Sequence, residues 1–466
     1  MCLKKKNENT QQPKQLKRKL FESKKSYEKR QQEEKEKYIK SKSEIKKARA
    51  KKRLKRFAAV ILALVIIIGG LNLASYIGNV NSIKGSLAYI KTLPTVQVSE
   101  RIVPQRDAEG NFTFVTDKDF KIMQLTDVHF GGGWNSAEED KKAISAIAAM
   151  VLYEKPDLII VTGDLVFPVP IISGTINNLA CHKAFAALMD KLGIYWTVIF
   201  GNHDSESYNI YSRSDVGEFY QSLTESGNSF CLFNRGPADI DGEGNQVIKI
   251  KNTKGEIVKA LIMLDTHDYV DDFLGLSGKY DNMHPNQIAW YEQTLNKLKV
   301  ENDGIMPKSL AFYHIPTEET QKAWDEYVSA GRVDTINLKY IRGVAGEAKA
   351  GSPAGTKIAY GPFYETDFYE TMLRLKSTEA VFNGHDHLNN FIVEYLGIKI
   401  VYGYSIDYLA YSGIDNYGNQ RGCVMITLKP NGQTHIEHKN YYEIAQYTLD
   451  IEGYKKEDVS MEDYYS

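Results

Sequence analysis

Residues 195–204 read YWTVIFGNHD and residues 380–387 read AVFNGHDH. In both, a short run of β-branched and aromatic residues breaks into glycine, then imidazole and carboxylate. Continuous apolar runs of this length suit strands buried on both faces. The polar residues behind them fall at strand carboxyl ends, where open α/β sheets gather their ligands. The same pattern recurs outward from these two stretches. Lys121–Thr126 (KIMQLT) runs into Asp127-Val128-His129, Leu158–Thr162 (LIIVT) into Gly163-Asp164, and Leu310–Tyr313 (LAFY) into His314. Two further strands are predicted at Ala260–Leu264 and Ile398–Tyr402.

Between these runs the period changes from 2 to 3.6. Ala137–Tyr153 places Ile144, Ile147, Ala148 and Val151 on one face, and Leu179–Leu192 and Pro285–Leu298 behave alike. Alternating strands and helices predict a layered α/β domain over residues 119–450. Asn228–Gly255, rich in glycine and charge, reads as a hairpin excursion. Gly331–Lys357 reads as a loop able to serve as a flap, and residues 451–466 as an acidic, tyrosine-rich tail without an assigned role.

The residues behind the strands form one chemical set. Asp127, His129, Asp164, Asn202, His203, His314, His385 and His387 are hard oxygen or imidazole donors, and the accompanying glycines let backbone approach closely. Such a set can hold two divalent ions if one carboxylate bridges them, and Asp164, central in the order, is the natural bridge. Cysteine is absent from all five loops, which excludes a thiolate site and leaves Mn, Fe, Zn or Mg. Each motif alone is weak, since a lone histidine is more often a satisfied structural residue. Five motifs in order, each behind a predicted strand, are not explained that way.

This order and spelling resembles the calcineurin-like metallophosphoesterase superfamily: D-x-H, GD, GNH[DE], H, GHxH. The resemblance runs from about Phe120 to Leu428. It implies a four-layer α/β/β/α sandwich around two metal ions. Asp127, His129, Asp164 and His387 match ligands of one ion, and Asp164, Asn202, His314 and His385 those of the other. His203 matches the histidine that contacts phosphate and protonates the leaving group, and Asp204 its carboxylate orienter. Tyr313–Pro316 (YHIP), Gly384–Phe391 (GHDHLNNF) and Tyr402–Gly413 look more narrowly like single-domain purple-acid-phosphatase-like proteins. The metal-binding tyrosine of purple acid phosphatases is replaced here by Phe167, and His129, which they lack, is present. The resemblance thus implies a phosphoesterase without a ferric–tyrosinate chromophore.

The chemistry expected of the residues follows. Two cations neutralise phosphoryl oxygens and acidify a bridging water, so hydroxide attacks phosphorus directly and no phosphoenzyme forms. His203 acts as general acid. Phosphomonoesters are the preferred substrate class; the alternatives are phosphodiesters or a non-catalytic binding role. His267 is a candidate for the pocket rim, and Tyr404, Asp407, Tyr408 and Tyr411 for the substrate mouth or, equally, for core or rim packing. Trp134 is a candidate cover for the site. His182, His284, His435 and His438 read as surface or structural.

Charge divides the chain further. The 466 residues carry a net charge of −1, yet residues 1–56 hold 23 Lys and Arg against 7 Asp and Glu, leaving a strongly acidic remainder. The basic piece has almost no apolar stripe and reads as a solvated tail. Behind it, Phe57–Ile77 (FAAVILALVIIIGGLNLASYI) holds no charge over a length that suits a bilayer core. The basic flank predicts an uncleaved signal anchor with residues 1–56 in the cytoplasm and the acidic bulk outside. The tail then meets lipid headgroups rather than nucleic acid. Residues 78–118 read as a stalk and a lead-in strand with a turn at Asp107–Asn111. Four cysteines exclude a dense disulfide framework; an oxidising compartment would permit Cys181 and Cys231 to pair.

Overall fold

The computed structural model describes residues 16–270, 278–346, 357–411, 414 and 420–448, with side chains described up to Ile444. The tail beyond residue 450 and the expected flap at 347–356 lie outside the described residues. Two compact units divide the chain, residues 1–74 and 75–466.

Among the described residues, two sheets form the second unit. The smaller contains β3 (Phe120–Leu125), β4 (Leu158–Thr162) and β5 (Tyr195–Ile199), mutually parallel, extended antiparallel by β13 (Gly422–Leu428) and β14 (Thr434–Asn440) in the order β14-β13-β3-β4-β5. The larger has nine strands. They are β1 (Gln105–Arg106), β2 (Phe112–Val115), β6 (Gln246–Lys251), β7 (Ile257–Met263), β8 (Ser309–Phe312), β9 (Leu338–Arg342), β10 (Thr378–Asn383), β11 (Ile392–Tyr395) and β12 (Ile398–Tyr402), in the order β1-β2-β6-β7-β8-β10-β12-β11-β9. The parallel core β7-β8-β10-β12 was legible as apolar runs. The excursion at 228–255 resolves into β6, which pairs antiparallel with β7. The region 331–346 contains β9, an edge strand on β11, so that part is sheet rather than flap.

Side-chain alternation along the strands builds the layers. Phe120 and Ile122 of β3 join Ile160, Leu261, Leu310 and Phe382 in a core between the two sheets. Met123 and Leu125, pointing the other way, meet Ile147 and Val151 of α2 (Ala137–Glu154) and Phe185 and Leu188 of α3 (Asn178–Leu192), beside Tyr220 of α4 (Arg213–Ser226) and Tyr441 and Tyr442 of α8 (Tyr441–Thr448). On the outer face of the larger sheet, α5 (Pro285–Glu301), α6 (Glu318–Ser329) and α7 (Phe368–Leu375) bury Tyr291, Leu295, Trp324, Phe368 and Met372. The result is the α/β/β/α sandwich expected from the sequence.

Helix α1 (Lys24–Thr92) carries the apolar run and is long and apolar enough to cross a membrane. In the first unit the apolar side chains of 57–74 face outward, Val60 and Ile66 among them. In the second, the last turns of α1 replace the expected stalk. Ser75 Oγ and Asn79 Nδ2 donate to the Gly174 carbonyl (3.2 and 3.0 Å), and Ser82 Oγ donates to the Gly133 carbonyl (2.7 Å). Ile90, Leu93 and Val96 then enter the core against α2 and α3. Polar contacts to loop carbonyls leave no apolar stripe over residues 75–82, which is why this docking is invisible to periodicity.

Candidate metal centre

The five loops bring their donors together. Asp127, His129, Asp164 and His387 have ligand atoms within 4.8 Å of one another; Asp164, His314 and His385 form a second such group. Asp164 belongs to both. Its Oδ2 lies 3.0 Å from His314 Nε2 and 3.6 Å from His129 Nε2, and His387 Nε2 lies 3.6 Å from Asp127 Oδ1. Donors sharing an ion at about 2.1 Å stand this far apart.

Local structure aims each donor. The Asp164 Oδ1 accepts from the His203 amide (2.8 Å), which leaves Oδ2 to face the imidazoles. His314 Nδ1 lies 2.8 Å from the Thr162 carbonyl, an acceptor, so the proton sits on Nδ1 and Nε2 presents its lone pair. Asn202 donates through Nδ2 to the Tyr269 hydroxyl (3.2 Å), freeing Oδ1. Asp127 accepts from the His385 amide (3.1 Å) and Thr126 Oγ1 (2.9 Å). Space is made by glycine: a Cβ on Gly201 would lie 2.2 Å from Asp164 Oδ1, and one on Gly384 2.5 Å from Asp127 Oδ2. Asp127, His129, Asp164 and His385 all adopt left-handed backbone, with φ of 50, 55, 50 and 77°. Such strain in non-glycine residues concentrates at functional sites.

Seven buried atoms here have no hydrogen-bond partner: both ring nitrogens of His129, Asp164 Oδ2, Asn202 Oδ1, His314 Nε2, His385 Nδ1 and His387 Nδ1. One orphaned buried polar atom costs about 1–3 kcal/mol. Two of them, the Nδ1 atoms of His129 and His387, face the Asp407 carboxylate; the other five are left for a pair of divalent cations, whose bonds would complete them. Charge agrees. Burial pushes the His129 imidazole down, but Asp407 and then Asp164 outweigh it and hold it at about 9; His314, opposed by burial and favoured by Asp164, also stands at about 9. Asp164 is disfavoured by burial, yet His314 and His203 hold it well below the usual carboxylate range. His385 is driven down by burial and by His314, and His387 by burial and by His129. Buried carboxylates thus retain positive charge on two rings, and divalent cations would displace those protons.

Some roles shift. Asp204 does not orient His203. Its Oδ2 accepts from the Gly201 amide (2.7 Å) and its Oδ1 from the amides of Leu165 and Val166 (2.9 and 3.2 Å), clasping two ligand loops together. The orienter is Glu206, whose Oε1 lies 2.7 Å from His203 Nδ1; the spacing i, i+3 behind the histidine was the available signal. Asp407, a candidate for the mouth or for packing, is fully buried, with its carboxylate 3.9 Å from His129 Nδ1 and 3.5 Å from His387 Nδ1. It accepts from the amides of Leu409, Ala410 and Tyr411, and so backs two ligand rings with a fixed negative charge. A carboxylate behind the Ile398–Tyr402 strand was the clue to it. Phe167 packs edge-on against His129 and His203, with centroids 5.4 and 4.9 Å away, where a phenol would have offered oxygen.

The other candidates fall elsewhere. His267 stacks on His284 (4.1 Å), and with Asp281 these form a third group able to hold an ion. Trp134 covers Gly78 and Gly174 rather than the donors. Tyr411 touches the His387 ring (5.5 Å) and Tyr404 that of His438 (5.1 Å), while Tyr408 lies under Arg421. His182 and His438 are buried and structural, as expected; His435 is exposed. Cys181, Cys231 and Cys423 are buried free thiols.

Sequence comparison decides the family. The calcineurin-like phosphoesterase family matches residues 120–389, more than half of the chain. The chain belongs to the calcineurin-like phosphoesterase family. This calcineurin-like chain is 29% identical over 335 residues to a protein of Arabidopsis thaliana called probable inactive purple acid phosphatase 29, covering 66% of this chain and 77% of the relative. It is 28% identical over 326 residues to probable inactive purple acid phosphatase 14 of the same plant, covering 65% and 74%. Among solved structures, a dimetal phosphatase from Danio rerio is 10% identical with a TM-score of 0.41, covering 69% of this chain and 96% of that one. The purple acid phosphatase PPD1 from yellow lupin seeds is 11% identical with a TM-score of 0.35, covering 71% and 54%. The calcineurin-like fold binds two divalent metals, and its chemistry is hydrolysis of phosphate esters.

Proposed function

We propose that this chain is a metal-dependent phosphoric ester hydrolase, anchored in a membrane by residues 57–77, that prefers phosphomonoesters and uses water directly without a covalent intermediate. The observation that carries the reading is a pair of donor groups sharing Asp164, whose Oδ2 stands unpartnered between His129 Nε2 and His314 Nε2. Asp127, His129, Asp164 and His387 would hold one divalent ion, and Asp164, Asn202, His314 and His385 the other, the metal being Mn, Fe, Zn or Mg. Two such ions would supply phosphoryl charge neutralisation and an acidified water. The chain's own residues do the rest. His203, a quarter exposed at its side chain, reaches the leaving-group oxygen and donates a proton; Glu206 holds its Nδ1 so that Nε2 faces outward. Asp407 fixes the rings of His129 and His387. No serine or cysteine lies among the converging donors. The basic flank of the apolar run supports an extracytoplasmic catalytic unit.

A second reading is favoured by the word "inactive" in the relatives' names: a binding protein that keeps the sandwich but not the turnover. Against it, every donor of the set is present, and Phe167 removes a ligand without removing His129. The deciding experiment is metal analysis of the purified full chain together with hydrolysis of phosphomonoesters and phosphodiesters. Two metal equivalents with turnover, abolished in Asp164→Ala and solvent-¹⁸O-labelled in the product, support the enzyme. A folded protein that holds metal and hydrolyses neither class supports the binding protein.

A further inference from the structure

Three of the donor loops end in exposed apolar side chains, and the three are tied together. The loop behind His129 carries Trp134, 54% exposed; the loop behind Asp164 carries Ile171, 90% exposed, and Ile172; the loop behind His203 carries Tyr208 and Ile210, 57% exposed. The Asn135 amide donates to the Ser173 carbonyl (3.1 Å) and its Nδ2 to the Ile172 carbonyl (2.8 Å), and the Ile210 amide donates to the Ile176 carbonyl (3.1 Å). The middle loop, residues 167–176, reads FPVPIISGTI and contains no charge. A soluble surface rarely gathers bare isoleucines at loop tips without a partner.

The chain itself indicates what covers them. Ser75 and Asn79 hydrogen-bond the Gly174 carbonyl, Asn79 Oδ1 accepts from the Trp134 amide (3.0 Å), and Trp134 stands on Gly78. Ser75 lies within the last three residues of the apolar segment Phe57–Ile77. By covalent connectivity alone, this apolar rim is tied to the residues that directly follow the proposed membrane segment. Tryptophan at that depth is the usual interfacial residue. The rim is also continuous with the site, because Phe167, the first residue of the middle loop, touches the rings of His129 and His203.

We propose that the rim of Trp134, Ile171, Ile172 and Ile210 is seated in the headgroup region of the bilayer that receives residues 57–77, and that the substrate is a phosphate ester carried by a lipid of that leaflet. This rests on the phosphoesterase and anchor readings above and narrows them to a substrate class. The test uses the full chain reconstituted in lipid nanodiscs. Brominated phosphatidylcholine should quench most of the tryptophan emission that disappears in Trp134→Phe; an unquenched Trp134 overturns the seating whatever the activity. Ile171→Asp with Ile210→Asp should lower hydrolysis of phosphatidic acid or phosphatidylglycerol in the disc at least tenfold and leave p-nitrophenyl phosphate turnover within twofold. Equal loss on both substrates, or no loss on either, overturns the lipid-substrate assignment. So does an enzyme that cleaves p-nitrophenyl phosphate and neither lipid. Metal-loaded protein that cleaves none of the three overturns the phosphoesterase reading itself, and the quenching measurement still decides the seating.

Discussion

In the proposed reaction, Glu206 and Asp407 act through the histidines they contact rather than on phosphorus. Glu206→Gln should lower kcat about tenfold or more on esters with poor leaving groups and little on p-nitrophenyl phosphate, because only a basic leaving oxygen needs the proton that His203 carries. Steady-state kinetics across a leaving-group series checks this, with His203→Ala expected to lose on the order of 10²–10⁴-fold at the basic end. Asp407→Asn should weaken metal retention or activity roughly 10–100-fold, as loss of a carboxylate behind ligand histidines does elsewhere; competition with a fluorescent chelator measures it. Two other histidines set the response to acid. Burial drives His182 to about 3 and His438 to about 4, with His182 Nδ1 beside the Tyr220 hydroxyl (2.7 Å) and His438 Nε2 beside the Tyr402 carbonyl (2.6 Å). Both stay neutral when folded, whereas the unfolded chain takes protons below about pH 6.5. Stability is therefore complete above that pH and falls as pH drops toward 4, by up to ~1.4 kcal/mol per unit for each ring. Melting temperature against pH should show a shallower slope between 6.5 and 4 in His438→Gln.

Among the elements, the end of α1 behaves as part of the catalytic unit. Ile90→Ala should cost about 2–4 kcal/mol in denaturant titration, the loss usual for a fully buried aliphatic side chain. Asn79→Ala should leave the fold intact and speed hydrogen exchange at the Trp134 amide, which loses its acceptor. What was legible at this scale follows the physics of burial. β4 and β12 were read at their observed limits because LIIVT and IKIVY are buried and β-branched. β14, THIEHKN, is half exposed and reads as polar loop. α6 buries only Thr320, Ala323, Trp324 and Tyr327 from a charged dodecapeptide, too thin a stripe to announce a helix. Six of the seven expected ligands fall into two groups sharing Asp164, on loops behind β3 and β4 of one sheet and β8 and β10 of the other. Asp204 was misread because sequence order cannot say which of two carboxylates, one and three residues behind His203, turns toward its ring.

For the whole molecule, bound metals would add to the stability of the fold. Each cation held at a hundred times its dissociation constant adds about 2.7 kcal/mol, so chelation should lower the melting temperature and Mn, Fe or Zn should restore it in calorimetry. A ferric form should stay colourless in the visible range, because Phe167 offers no phenolate. The four left-handed donor residues carry a conformational cost. Glycine in place of Asp127, His129, Asp164 or His385 would relax a backbone strained by of order 1–3 kcal/mol and remove a buried charge or an unpartnered ring. All four of those positions carry donor side chains, so this backbone strain is held at the loops that present the two donor groups.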